Sequence, residues 1–142
     1  MLVSDIMNKN PVSVSPEESV ALAAKLLSRH NVGSLPVCTE DGKLKGVITD
    51  RDIVLRCVAA GNDVKMTKIK DVMSGSVITV SPGDDVSRAS RLMSTGQVRR
   101  LPVVSSGHLV GMVSLGDMAC RPACDMEAAR ALSDISLNIS RK

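Results

Sequence analysis

The 142-residue sequence contains no phenylalanine, tryptophan or tyrosine. This removes the aromatic platforms on which single-stranded nucleic acid modules stack bases. Any planar ligand must therefore lie between aliphatic side chains. No apolar run approaches the roughly 18 residues of a membrane span, and the opening "MLVSDIMNKN" lacks the basic stretch and apolar core of an export signal. The expectation is a cytoplasmic protein without membrane or nucleic acid partners. Histidine is scarce: His30 falls at a helix end and His108 at a hairpin turn, neither has a convincing Ser or Cys nucleophile beside it, and there is no P-loop. These gaps argue against an enzyme and give no catalytic residue. Cys38, Cys57, Cys120 and Cys124 are irregularly spaced, unlike a secreted disulfide framework, and read as reduced, mostly buried thiols. In "CRPAC", Pro122 interrupts the turn that would join Cys120 to Cys124. No metal site is assigned, and a Cys-based metal or redox sensor stays as an alternative.

What is present is ordinary for a globular protein. Hydrophobic residues make up 44% and charged residues 23%, and the net charge of +3 is dispersed, with eighteen basic residues scattered among fifteen acids. The informative feature is repetition. Asp5, Met7, Val14-Ser15-Pro16 and Leu35-Pro36-Val37 recur 66 residues later as Asp71, Met73, Val80-Ser81-Pro82 and Leu101-Pro102-Val103. After a one-residue deletion the spacing becomes 65, which sets "GVITDRD" (46–52) against "GMVSLGD" (111–117). A unit this small cannot hide its apolar faces alone, so two copies closing around a shared core are expected.

Each copy reads as strand, helix, strand, strand, helix. "PVSVS" alternates like a strand. Ser15 and Glu18 have capping-box spacing with Pro16 at the first helical position, and Val20, Ala23, Leu26 and Leu27 share one helical face. "SLPVC" and "KLKGVIT" form a hairpin turning near Glu40-Asp41-Gly42, and Thr49 opens the helix "DRDIVLRCVAA". The second copy repeats this with a strand at 77–80, a helix at 85–95, strands at 101–104 and 109–113, and a helix from Leu115. The expected organisation is repeat 1 at 1–60, a linker at 61–68, repeat 2 at 69–124 and a helical tail at 125–142. That tail has a cap at Asp125 and an apolar stripe of Ala129, Leu132 and Ile135, and it packs on its own module or on a second subunit.

A hydroxyl three residues before an acid at a helix start, Thr49 with Asp52 and Ser114 with Asp117, suits two jobs. It is an ordinary cap, and the carboxylate can also accept from paired ribose hydroxyls while the helix N-terminus favours an anion. The jobs are compatible if Thr49 caps while Asp52 points outward. Arg51 stands where the second copy has Gly116, and Arg99-Arg100 where the first has Gly33-Ser34. These arginines are either phosphate ligands or solvated surface. Their uneven distribution implies unequal sites. Val12, Ser13 and Val37, and in the second copy Ile78, Thr79 and Val103, are candidate walls for a base, with plain core as the alternative for the two later valines.

The pieces "VSDIMNKNPVSVSPEESV", "HNVGSLPV" and "GVITDRDI", with their counterparts "IKDVMSGSVITVSPGDDV", "GQVRRLPV" and "GMVSLGDM", resemble the CBS (cystathionine β-synthase) domain family in its stand-alone tandem form. The resemblance spans roughly residues 1–121. It implies an α/β (α+β) protein of two β-α-β-β-α repeats packed through their sheets into a pseudo-twofold module, forming a homodimer. It also implies a regulatory function: AMP, ADP, ATP or S-adenosylmethionine enters an inter-repeat cleft and changes packing. No cofactor is required, and the output passes to a protein target in trans. The alternative is a dimeric interaction adaptor with empty clefts.

Overall fold

A computed structural model describes the backbone of residues 1–140 and the side chains of residues 1–137. The last two residues of the expected tail, 141 and 142, lie outside the described residues. In chain order the elements are α1 (Val3–Ile6), α2 (Val20–His30), β1 (Ser34–Cys38), β2 (Leu44–Thr49), α3 (Asp50–Ile53) running into a π-helical segment (Val54–Val58), and a 3-10 turn (Ile69–Asp71). Then come α4 (Val86–Gly96), β3 (Arg100–Ser105), β4 (His108–Ser114), α5 (Leu115–Ala119), a second 3-10 turn (Pro122–Cys124) and α6 (Asp125–Ser140). The mixed α/β character and the terminal helix agree with expectation. Each sheet is a two-stranded antiparallel hairpin, β1 with β2 and β3 with β4.

The chain forms two compact units, a central one (Val12–Val77) and a split one (Met1–Pro11 with Ile78–Lys142). They are offset from the sequence copies because the leading segment of each copy packs on the body of the other. In the split unit, Val3 N–H donates to Asp84 O (2.8 Å), Ser4 N–H to Pro82 O (3.0 Å) and Val86 N–H to Met1 O (3.0 Å), while Asn8 and Met112 exchange bonds of 2.8 and 3.0 Å. Every one of these has a twin in the central unit. Ile69 N–H donates to Glu18 O (2.9 Å), Lys70 N–H to Pro16 O (3.0 Å) and Val20 N–H to Thr67 O (2.9 Å), and Val47 and Ser74 exchange bonds of 3.0 Å. Residues 61–68 are thus tied to the start of α2 instead of hanging free.

This exchange explains the glycine that opens each repeated motif. A Cβ on Gly46 would come within 2.4 Å of Ser74 O, and one on Gly111 within 2.7 Å of Met7 Sδ and 2.8 Å of Asn8 O. Only a residue without a side chain lets the visiting backbone cross there.

Each unit has its own core. In the central unit Val20, Ala23 and Leu27 of α2 meet Leu35, Val37, Ile48, Ile53, Cys57, Ile69 and Val72. In the split unit Val86, Ala89 and Met93 of α4 meet Val3, Leu101, Val103, Val113 and Met118, with Cys124, Ala128 and Ala131 joining from the C-terminal end. Helices α2 and α4 each stop on a left-handed residue, Asn31 (φ 52°) and Gln97 (φ 55°). The N–H of each returns to the helix, Asn31 to Leu27 O and Gln97 to Met93 O.

Three local expectations need correction. "PVSVS" and 77–80 are not strands; each makes one parallel bridge, Val14 to Val37 and Val80 to Val103. Only Val14 and Val80 reach the hairpin edge. Next, the Ser15–Glu18 pair closes a turn, Ser15 N–H donating to Glu18 Oε1 (2.7 Å), and α2 begins at Val20 with Ser19 as its cap. The carbonyls of Pro16 and Glu18 are committed to the 69–70 segment, which holds this stretch out of the helix. Finally, α6 buries Ala128, Ala131 and Ile135 along one helical face, in line with Cys124 of the preceding 3-10 turn. Of the expected stripe only Ile135 faces inward, and Ala129 and Leu132 are exposed. The tail packs within its own unit, against α4 and α5.

Candidate functional site

Both units build the same junction where a hairpin strand turns into a short helix. At the end of β2, Thr49 keeps extended dihedrals (φ −113°, ψ 162°) and Asp50 starts α3. Asp52 N–H donates to Thr49 Oγ1 (3.0 Å) and Thr49 N–H to Asp52 Oδ2 (3.0 Å). In the split unit Asp117 N–H donates to Ser114 Oγ (3.0 Å) and Ser114 N–H to Asp117 Oδ2 (2.8 Å). Reciprocal caps of this kind satisfy donors that a helix start leaves open. The expectation that Asp52 points outward is therefore corrected. Each aspartate turns one oxygen onto its own backbone, and only Oδ1 is left to face anything else.

What Oδ1 meets differs between the units. Asp52, with a side chain only 12% exposed, has Oδ1 4.0 Å from Arg56 Nε. The same guanidinium donates to Val72 O and Met73 O, both at 3.3 Å, so Arg56 is anchored to the exchanged segment. Its counterpart Arg121 donates to Asp5 O (3.5 Å), and among the described residues it makes no ion pair with Asp117. Asp117 Oδ1 carries no bond among the described residues.

The residues before the first hairpin strand are drawn to the same place. Asp50 N–H donates to Gly33 O (3.0 Å) and Leu115 N–H to Arg99 O (2.8 Å). Ser34 stands opposite Thr49 in the hairpin register, and Arg100 opposite Ser114. Arg99 and Arg100 thus flank the Ser114–Asp117 cap, exposed and without a carboxylate partner among the described residues. In the central unit the corresponding ground is Gly33 and Ser34, and a Cβ on Gly33 would lie 3.6 Å from Asp50 Oδ2. Asp50 was missed in the sequence, although its counterpart Leu115 is uncharged. Arg51 is exposed, its N–H held by Asp50 Oδ1 (2.7 Å).

For the base, the six candidate wall residues divide. Val37 and Val103 are 0% exposed core residues and cannot line an open surface. The residues on either side of them hold the first segment: Val14 N–H donates to Pro36 O (3.0 Å) and Cys38 N–H to Val14 O (2.8 Å), while Val80 repeats the pattern with Pro102 and Val104 at 3.1 and 2.8 Å. Successive extended residues point their backbone groups in opposite directions, so Ser13 and Thr79 turn theirs away from the hairpin. Both are exposed. Val12 and Ile78 are half-buried beside them and pack on their respective cores. Val12, Ser13, Thr49, Arg51 and Asp52 therefore belong to the central unit, and Ile78, Thr79, Arg99, Arg100, Ser114 and Asp117 to the split one.

The thiols are placed otherwise. Cys38, Cys57 and Cys124 are buried and Cys120 is exposed, all free. Burial pushes the Cys38 and Cys124 thiols up, which disfavours the thiolate that metal binding or nucleophilic attack needs. Among the described residues no three His, Cys, Asp or Glu side chains converge as a metal site.

A tandem α/β protein whose two halves repeat one hairpin, one capped strand-to-helix junction and one exchanged leading segment is the class defined by these features. The chain belongs to the CBS domain family, with residues 3–58 and 69–121 each matching the CBS domain. It is 43% identical over 134 residues to the CBS domain-containing protein YhcV of Bacillus subtilis, covering 94% of each chain. Among solved structures it resembles Hypoxic Response Protein I with two coordinated zinc ions (35% identity, TM-score 0.77, covering 84% of this chain and 98% of that one). It also resembles the CBS domain pair of protein MJ0100 in complex with 5-methylthioadenosine and S-adenosyl-L-methionine (33% identity, TM-score 0.76, 84% and 98% covered). No helix among the described residues is long and apolar enough to cross a membrane.

Proposed function

We propose that this chain is a regulatory module that binds an adenosine-containing ligand, and that the split unit holds the stronger site. The observation that carries the reading is the unbonded Oδ1 of Asp117 beside a capped helix start, with Arg99 and Arg100 drawn to the same edge by the Leu115–Arg99 bond. The ribose hydroxyls donate to Asp117 Oδ1. The adenine edge bonds to the outward backbone groups of Thr79, with Ile78 against its face in place of an aromatic ring. Arg99 and Arg100 take the phosphate through charge-assisted bonds. A phosphorylated nucleotide such as AMP fits this charge pattern better than a sulfonium compound, which the two guanidiniums repel. The central unit, with Asp50 beside Gly33 and Asp52 already facing Arg56, is the weaker site and the less suited to phosphate. The likeness to a domain pair solved with two adenosine derivatives supports the ligand class.

Binding regulates only if the ligand has different affinities for two states of the protein. In this reading the module senses ligand in the cytoplasm, changes its packing, and passes the change to a protein target in trans. Calorimetric titration with AMP, ATP, 5-methylthioadenosine and S-adenosylmethionine tests it, on the native protein and on Asp117→Asn and Arg99→Ala/Arg100→Ala. Asparagine keeps an acceptor for the Ser114 N–H and loses the charge. Nucleotide affinity must fall in both variants and phosphate-free ligands must be spared in the arginine variant; unchanged affinity in both ends the proposal.

A further inference from the structure

Helix α6 lies outside the two stretches that match the CBS domain, and it gives α4 a second wall to face. The two helices are joined at one polar point: Ser90 of α4 is only 2% exposed, and its hydroxyl donates to Glu127 O of α6 (2.8 Å). Small residues surround that bond, with Ala89 on α4 and Ala128 and Ala131 on α6 all buried, so the backbones approach closely. Beside it the helices part into a groove of about 140 Å³, lined by Ser87, Ser90 and Arg91 from α4 and by Met126, Glu127 and Arg130 from α6. This is well below the roughly 300 Å³ at which drug-sized pockets begin, so a nucleotide is too large and a molecule of amino-acid size fits. The groove belongs wholly to the split unit, and no residue proposed for the adenosine ligand lines it.

The charged groups of the groove have no partners. Neither the Arg91 nor the Arg130 guanidinium makes an ion pair among the described residues. Nor does the Glu127 carboxylate, although Glu127 and Arg130 stand three residues apart on one helix, a spacing at which such pairs form. The Ser87 hydroxyl donates to the Asp85 carboxylate, which leaves its oxygen as an acceptor. The equivalent positions on α2 are Ala21, Ala24 and Lys25, in a unit with no helix like α6 among its described elements. Both hydroxyls and the arginine thus occur only where α6 supplies the opposite wall.

We infer that this groove binds a small amino acid carrying two carboxylates, of the glutamate and aspartate class. Two guanidiniums against one carboxylate mirror the charges of such a ligand, which has two negative groups and one positive. Each arginine presents a planar fork that takes a carboxylate through two parallel bonds. Glu127 and the Ser87 oxygen accept, so they take the ammonium group. A simple anion would leave Glu127 facing a like charge, which costs free energy.

The test follows the backbone amide resonances of the full chain by heteronuclear NMR. The titrants are L-glutamate, L-aspartate, glutarate (glutamate without its amine) and inorganic phosphate, added to the native protein and to Arg91→Gln, Arg130→Gln and Glu127→Gln, with circular dichroism as the folding control. Arg91 and Arg130 are exposed, so their replacement disturbs no core. Saturable shifts at residues 87–91 and 126–130 are expected with L-glutamate or L-aspartate. Either arginine variant should weaken that binding by about tenfold or more, as for a lost charge-assisted bond. Glu127→Gln should weaken the amino acid and strengthen glutarate. The absence of saturable shifts with both amino acids overturns the inference. So does glutarate or phosphate binding to the native protein as tightly as the amino acids, or amino acid binding that the three substitutions leave unchanged.

Discussion

The central and split units share a backbone plan almost bond for bond, yet their chemistry has diverged at the edge where β2 or β4 turns into a helix. The central unit places Asp50, Arg51 and Asp52 there and uses Arg56 to engage the aspartate. The split unit places Arg99, Arg100 and Asp117 there and leaves one carboxylate oxygen unbonded among the described residues. The duplicated hydrogen bonds are what the fold requires. The unduplicated charges are where the two units are free to differ.

The sharpest way to break the comparison is at the two crossing glycines. Gly46→Ala forces a methyl within 2.4 Å of a backbone oxygen and should cost about 3 kcal/mol, while Gly111→Ala meets the flexible Met7 sulfur first and should cost about 2 kcal/mol. Urea unfolding measures both, and an alanine tolerated at either site would show that the segments can separate. Next in size is the arginine contrast. Replacing Arg99 and Arg100 with alanine should weaken AMP binding by roughly ten- to a hundredfold, as for lost charge-assisted bonds. Arg51→Ala should change it by less than about threefold, as expected for a surface charge. Equal losses would erase the proposed inequality.

Smaller, and expected to be equal, are the caps. Thr49→Ala and Ser114→Ala should each destabilise by about 1 kcal/mol, and a large difference between them would mean that one hydroxyl does more than cap. The smallest effect is electrostatic and belongs to the central unit alone. Glu17 is held below the usual carboxylate range by hydrogen bonds from Lys68 (2.8 Å) and Lys70 (3.0 Å), where the other copy has Gly83. Its contribution is present above the unfolded carboxylate pKa and lost as pH falls through the lowered folded value. Glu17→Gln should therefore lower stability slightly at neutral pH, flatten the acid side of the stability profile, and leave the stability below the lowered carboxylate pKa unchanged.

Much of the site was legible because it depends on local spacing. The caps at Thr49 and Ser114, the hairpins and the two long helices all follow from residues within a few positions of one another. The exchange of leading segments was not legible. Its bonds join residues such as Val3 and Asp84, and no short-range pattern records them. The twin glycines 46 and 111 were the available signal, and their meaning depends on what crosses them. The first strands failed for a related reason, since "PVSVS" alternates like a strand while only Val14 has a hairpin edge to bond to. The inward face of α6 was misjudged because Ala128 and Ala129 look alike in sequence, and packing against α4 decided between them.

The exchange also sets an order of events during synthesis. Val12–Val77 is an uninterrupted stretch that can assemble once it has left the ribosome, whereas the first eleven residues have no body to rest on until Ile78 onward has followed them out. Completion of the second unit therefore depends on the earliest residues keeping company with the latest, a late and distant closure of the kind that slows folding.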